Sequence, residues 1–229
     1  KAISFTGSTP VGKEILRQAI TRDGQPIDPR NFVAEMGGDN AILILADANL
    51  EMAVAAAITG PFVGEGQRCT ATKRILVDEA VADEFLERFL AEIAKLKVGP
   101  GTDPKNDIGP LVSQQSLHAV MAAIRQSQDN KMELIYGGNR LTDGIHERGN
   151  FMEPTVLLGD SRNPKHIALR QEIFGPVAGF ARISGLDDGI AAVNDNTHRH
   201  VAGIFTQDVD KAAAFIRRAK AGMIHVNNS

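Results

Sequence analysis

An α/β fold on a mainly parallel sheet is what this sequence predicts, on three observations. Short β-rich runs alternate with longer segments of helical period, one of those segments has a sustained apolar face, and the breaks between elements are written in turn residues. The β-rich runs are residues 3–6, 32–35, 41–45, 74–77, 134–136, 177–181, 201–205 and 223–226. After the first run, Gly7–Lys13 reads as a strand-to-helix turn with a helix N-terminus behind it. Residues 50–62 read as an apolar helix. Val81, Phe85, Leu86, Phe89, Leu90, Ile93 and Leu96 recur at the three-to-four spacing of one helix face. Leu117, Val120, Met121 and Ile124 do the same behind Ser113, a capping residue. Ala212, Phe215, Ile216 and Ala219 follow Asp208 in the same way, with Gly222 as the expected stop. Residues 99–104 are turn chemistry, and the glycine-rich stretch 137–150 reads as a surface excursion.

Composition narrows the function classes. The 229 residues carry 25 Lys+Arg against 28 Asp+Glu, a formal net charge of −3, so no basic surplus points to a nucleic-acid partner. Hydrophobic residues at 43% and charged residues at 23% match an ordinary folded domain. The longest apolar stretches, 41–46 and 53–58, fall far short of the roughly 20 residues a bilayer crossing needs, so no membrane partner is expected. One cysteine, Cys69, cannot form an intrachain disulfide, which makes a reducing cytoplasm the expected compartment. The chain opens on Lys1 directly into a β-rich run and closes on another, so it reads as a piece of a longer protein. A domain boundary is expected near residues 35–38, where a loop rich in Asp, Pro and Arg (22–30) precedes a short run ending in Gly37-Gly38.

Several constellations could carry chemistry. Gly7-Ser8-Thr9-Pro10-Val11-Gly12-Lys13 fits a P-loop until Glu14, which stands where a Ser or Thr would hold magnesium and would face the phosphates. Pro10 also removes a backbone donor, so the segment reads as a helix N-terminus that could still meet a phosphate or a cofactor ring. No G-x-G-x-x-G fingerprint occurs. Cys69 lies in a polar, glycine-flanked loop beside Arg68, a setting that suits a reachable, ionisable thiol; a structural cysteine is the competing reading. Glu35 ends an apolar run before Met36-Gly37-Gly38 and reads either as a general base for water or as a solvated strand-end charge. Glu172, in Gln171-Glu172-Ile173-Phe174-Gly175-Pro176, reads either as a helix-end charge or as a carboxylate orienting a hydroxylated ligand beside the ring of Phe174. The six histidines, including His198 and His200 two apart, show no ligand spacing, so no metal is expected.

Together these segments resemble the aldehyde dehydrogenase superfamily from end to end. The carriers are Phe5-Thr6-Gly7-Ser8-Thr9 with Val11-Gly12, Glu35-Met36-Gly37-Gly38, Asp47-Ala48-Asn49-Leu50, Gly66-Gln67-Arg68-Cys69-Thr70-Ala71, Val98-Gly99-Pro100, Ile108-Gly109-Pro110, Gly149-Asn150-Phe151 with Glu153-Pro154-Thr155-Val156, Glu172-Ile173-Phe174-Gly175-Pro176-Val177 and Ala221-Gly222-Met223 with Val226-Asn227. The resemblance implies that residues 1–36 are the remnant of a Rossmann-like cofactor-binding domain and 37–229 a truncated catalytic thiol domain. It implies NAD or NADP as cofactor, a small-molecule aldehyde as substrate, and a homo-oligomer for the full-length protein. Cys69 is implied as the nucleophile and Glu35 as the base. Gly7, Ser8, Val11, Met36, Gly37, Glu172 and Phe174 are implied as cofactor contacts, and Arg68 and Thr70 as substrate contacts. The loop around Cys69 is similar to that of members oxidising acidic semialdehydes. The family's oxyanion asparagine and its adenosine-ribose contacts are expected upstream of Lys1. Asp39, where a Lys commonly follows the Gly-Gly pair, and Thr197–His200, where Tyr-Gly is usual, are departures expected to lie outside the chemistry. Two other readings stand beside this one: a domain without turnover that serves as an assembly module, and a residual thiol esterase.

Overall fold

The structure, a computed structural model, describes residues 2–21 and 31–228. The chain divides into two compact units, one ending at Gly38 and one beginning at Asp39. The 22–30 loop that suggested a boundary lies outside the described residues.

The first unit contains β1 (Ile3–Thr6), α1 (Thr9–Thr21) and β2 (Phe32–Glu35). The strands pair in parallel, with Ile3 opposite Phe32 and Thr6 opposite Glu35. A parallel pair needs a crossover, and α1 lies within it. Gly12 lets the helix lie close: a Cβ there would meet Met36 Sδ at 2.7 Å and Phe5 Cε1 at 3.1 Å. The ladder continues past β1, where Gly7 N–H donates to the Glu35 carbonyl at 3.0 Å. Gly7, Ser8 and Met36 therefore collect at the carboxyl ends of the two strands.

The second unit is a seven-stranded sheet with helices on both faces. Its elements are β3 (Asn40–Ile44), α2 (Leu50–Phe62), β4 (Thr72–Asp78), α3 (Ala82–Ile93), α4 (Gln114–Asp129), β5 (Glu133–Tyr136), β6 (Thr155–Gly159), β7 (Val177–Ile183), α5 (Gly185–Asn194), β8 (Val201–Phe205), α6 (Val209–Arg218) and β9 (Met223–Val226). The strand order is β5-β6-β7-β4-β3-β8-β9. Every neighbouring pair is parallel except the edge pair β5–β6. The sheet is thus mixed at one edge and parallel elsewhere.

Two cores sit on its faces, and the period of two along each strand sorts the side chains between them. Ile42, Ile44, Ile75, Val77 and Phe180 point to the side covered by α2 and α3. There Phe62, Phe89, Phe85 and Phe180 form a chain of stacked rings with centroids 5.8 to 6.2 Å apart. Leu43, Leu76, Leu157 and Ile204 point to the other side, under Leu117, Val120 and Ile124 of α4, Ile190 of α5 and Phe215 of α6. Every residue of β3 is buried, which is why it reads as an unbroken apolar run and not as an alternation.

The capping expectations hold: Ser113 Oγ accepts the Ser116 N–H at 3.0 Å, and Asp208 Oδ1 accepts from Asp210 and Lys211 N–H. Elsewhere the structure corrects the sequence reading. The helix expected over 81–96 ends at Ile93, one turn early. Gly222 does not terminate α6, which stops at Arg218 when Ala219 turns extended; Gly222 N–H instead donates to the Arg199 carbonyl. β6 and α5 were not anticipated. β6 is five residues long beside a proline, and α5 opens on Gly185 and holds two acids and a further glycine, a composition poor in helix signal.

Asp47 joins two turns at the carboxyl ends of β3 and β8. Its Oδ2 accepts from Thr206 Oγ1 at 2.6 Å and from Gln207 and Asp208 N–H at 3.0 Å, and its Oδ1 accepts from Lys211 Nζ at 3.0 Å. Burial alone would raise its pKa, but these donors outweigh it and hold the carboxyl at about 2. A depressed folded pKa stabilises the fold above the unfolded value and loses that contribution as pH falls through the folded one. Asp47→Ala is expected to cost about 2 kcal/mol in urea unfolding at neutral pH, the worth of hydrogen bonds to a charged group. The difference from wild type should shrink between pH 3.8 and pH 2.

Candidate active site

Cys69 sits on a loop with an unusual backbone. After α2 the chain makes a 3-10 turn, Val63–Gly66, in which Gly64, Glu65 and Gly66 all have positive φ, at 70°, 55° and 64°. Glycine tolerates that region and Glu65 does not, so Glu65 needs a restraint, and its Oε1 accepts the Gly109 N–H at 2.7 Å. Gln67 is tied in the same way, accepting the Val112 N–H at 2.9 Å. On the far side of the thiol, Asn40 Nδ2 donates to the carbonyls of Cys69 at 2.7 Å and Ala71 at 2.8 Å, while its Oδ1 accepts the Val201 N–H at 2.9 Å. The free thiol between these anchors is half-buried.

The loop lies at the amino-end edge of the parallel strands, just before β4. Glu172 and Phe174 stand on the turn before β7, at the same edge. Gly66 and Gly175 bring loop and turn together: a Cβ on Gly66 would overlap the Gly175 carbonyl oxygen and stand 2.7 Å from the Pro61 carbonyl oxygen. Phe174 is 44% exposed. Glu172 is half-buried beside it. Arg68 and Thr70 line a cavity of about 290 Å³ with Thr59, Gly60, Thr72, Val201, Met223 and His225. The predicted substrate residues thus share one cavity, and His225 joins them.

A cluster of buried charge lies behind this surface. Lys73 is 2% exposed. Its Nζ donates to the Gly66 carbonyl and stands 5.8 Å from the Phe174 ring centroid. Burial pushes its pKa down to about 8, against the pull of the Glu172 and Asp39 carboxylates. Asp39, expected to lie outside the chemistry, is 1% exposed and meets Arg74 Nε at 3.3 Å. Burial raises the Asp39 pKa, with Arg74 opposing. Arg74 in turn donates to the carbonyls of Asp39, Ala192 and Val193. Lys73 and Asn40 went unnoticed in the sequence. The available signal was a Lys-Arg pair and an Asn opening runs that are otherwise apolar, which only pairing partners can make compatible with burial.

In the first unit, Glu35 is exposed at the end of β2, and Gly7, Ser8 and Val11 are exposed around the start of α1. Met36 and Gly37 are half-buried. The concern that Glu14 would repel a phosphate is resolved by geometry: its carboxylate is turned down the helix to Arg17, at 2.7 and 2.9 Å, and Gln18, at 2.8 Å. The first turn of α1 holds no acid, so its N-terminus is electrostatically open to an anion. Among the described residues, no group of three or more His, Cys, Asp and Glu is placed to hold a metal ion, and no helix is long and apolar enough to cross a membrane.

A half-buried thiol on a braced loop, flanked along the chain by two residues that line a cavity, defines a thiol-bearing α/β domain. The chain belongs to the aldehyde dehydrogenase family, which it matches over residues 1–229. It is 35% identical to the 2,5-dioxopentanoate dehydrogenase of Saccharolobus solfataricus, over 99% of this chain and 45% of that protein. The solved betaine aldehyde dehydrogenase of Staphylococcus aureus in complex with NAD+ superposes with a TM-score of 0.92 at 28% identity, over 100% of this chain and 44% of that one. Glyceraldehyde-3-phosphate dehydrogenase GapN of Methanocaldococcus jannaschii, complexed with NADP, gives 0.88 at 33% identity, over 100% and 46%. The chain therefore spans less than half the length of these relatives.

The tight approach at Gly66 makes a direct test of the loop geometry. Gly66→Ala is expected to cost roughly 3 kcal/mol, because it adds both overlap and a disfavoured φ. Urea unfolding would measure it, and a loss within error of zero would show that the loop can shift away from Gly175.

Proposed function

We propose that this chain is the thiol-bearing part of an NAD- or NADP-dependent aldehyde dehydrogenase that acts on an acidic semialdehyde. Residues 37–229 would supply the catalytic domain and residues 1–36 the end of the cofactor-binding domain. The observation that carries the reading is the braced Cys69 loop, whose single thiol is flanked by the cavity residues Arg68 and Thr70 and whose Gly66 packs against Gly175, next to Phe174.

The residues present suit a nicotinamide dinucleotide. The N-terminus of α1, free of acids in its first turn, can take a phosphate, the exposed Phe174 can pack a flat ring, and Glu172 can accept from ribose hydroxyls. When bound, the cofactor supplies the acceptor for the aldehyde's hydride. The chain's own residues do the rest. The Cys69 thiolate adds to the aldehyde carbon to give a thiohemiacetal, and the Cys69 N–H is one donor to the resulting oxyanion, a contribution of about 3 kcal/mol per donor in comparable sites. After oxidation to the thioester, Glu35 takes a proton from water, the hydroxide adds to the acyl carbon, and the carboxylate product leaves as Cys69 recovers its thiolate. Arg68, at the cavity, pairs with the carboxylate at the substrate's far end.

Three substitutions separate these roles. Cys69→Ala is expected to abolish formation of reduced nicotinamide. Glu35→Gln should leave acylation intact and slow acyl release by about 100-fold or more, the usual contribution of a general base. Arg68→Ala should lower kcat/KM for an acidic semialdehyde about 10- to 100-fold against a neutral aldehyde of equal length, the worth of one charge-assisted contact. Oxidation that survives Cys69→Ala would overturn the reading, and an unchanged selectivity ratio would remove the acidic substrate.

A further inference from the structure

Lys73 is one of three buried charged groups that this chemistry does not use. It lies in β4 among Ile75, Leu76 and Val77, all fully buried, where an ammonium loses its water and needs local compensation. That compensation comes from the amino-end edge. One N–H goes to the Gly66 carbonyl, in the left-handed turn that leads to Cys69. The charge stands 5.8 Å from the centre of the Phe174 ring, a cation–π distance. Three charged groups act on it: Glu172 from the turn before β7 and Asp39 from the start of β3 attract it, and Arg68 from the Cys69 loop repels it.

These contacts belong to two segments, the Cys69 loop and the turn before β7. The Gly66–Gly175 approach is a steric fit, and Asn40 braces only the Cys69 and Ala71 end of the loop. We propose that Lys73 is a positioning residue whose ammonium, pinned between the Gly66 carbonyl and the face of Phe174, locks the Cys69 loop to the Glu172–Phe174 turn. Thiol and cofactor-facing turn then hold one relative position, and the lock loosens when the ammonium gives up its proton. The inference rests on the roles proposed for Cys69, Glu172 and Phe174. Burial brings that release down to about pH 8, within easy experimental reach.

The 229-residue chain suits the test because Cys69 is its one cysteine. The rate of Cys69 alkylation by iodoacetamide would be followed from pH 6 to pH 10.5 and divided by the thiolate fraction, read from the thiolate's ultraviolet absorbance. In the wild type the rate per thiolate should step up around pH 8 by about threefold or more, a small part of what a charge-assisted hydrogen bond is worth. Lys73→Met should sit at the upper level across the whole range with no step. A wild-type profile without a step, or a step that persists in Lys73→Met, would overturn the proposal. Circular dichroism would establish that Lys73→Met folds. Should it fail to, Phe174→Leu decides: removing an exposed ring leaves the core intact but takes away a partner of the charge, so the step should move to lower pH, and an unmoved step would overturn the lock. Failure of the underlying reading looks different, since aldehyde oxidation would then survive Cys69→Ala while the Lys73-dependent step in alkylation remained.

Discussion

Between the turn that leads to Cys69 and the turn before β7 there is no room for a methyl group. Gly66 lies against the Gly175 carbonyl oxygen and the end of α2, and Gly175 is pressed in turn against Val120 of α4. The approach needs two glycines, a left-handed backbone and a rigid support on each side, and the sheet supplies that support. β4 and β7 are adjacent, parallel and in register from Arg74 opposite Gly179 to Asp78 opposite Ile183, so the segments entering them start side by side. The segments that carry Cys69 and the Glu172–Phe174 turn approach one another because their strands are neighbours.

Parallel sheets usually offer ligands the carboxyl ends of their strands. In the second unit the thiol loop, the 172–174 turn, Asn40 and Lys73, the candidate site residues, gather instead at the amino ends. The carboxyl ends of β3 and β8 are given to Asp47 and its four donors, a structural tie between the turns into α2 and α6. The first unit keeps the commoner arrangement, with Gly7, Ser8 and Met36 following the carboxyl ends of β1 and β2.

The buried charges show how the amino-end edge tolerates its chemistry. Asp39, Lys73 and Arg74 are each nearly inaccessible, and each contacts a main-chain carbonyl or an opposite charge. A buried ion pair adds little stability over apolar packing, but loss of one member leaves the other uncompensated. The cluster ties together the segments it touches. Those segments are the opening of β3, the Cys69 loop and the turn before β7.

Periodicity and local chemistry were enough to place most elements. The apolar face from Val81 onward, the caps at Ser113 and Asp208, and the β-rich runs of the central strands are written in residues adjacent along the chain, and local signals of that kind survive folding. The candidate thiol was legible for the same reason, from its glycine-flanked polar loop and its resemblance to a known family. The order β5-β6-β7-β4-β3-β8-β9, the reversed edge strand β5 and the short strand β6 were not legible, because strand pairing is settled by which faces bury one another across the sheet. Nor were the burial of Asp39 and Lys73 or the bracing by Asn40. A charged or amide side chain looks solvated in a sequence, and only the tertiary structure decides that Asn40 meets carbonyls 29 and 31 positions away, Asp39 a guanidinium 35 residues on and Lys73 a ring a hundred residues on. The sequence by itself determined most of the elements and a set of candidate residues for chemistry. The packing of the sheet decided which of them share an edge, because desolvation and close approach depend on neighbours in space.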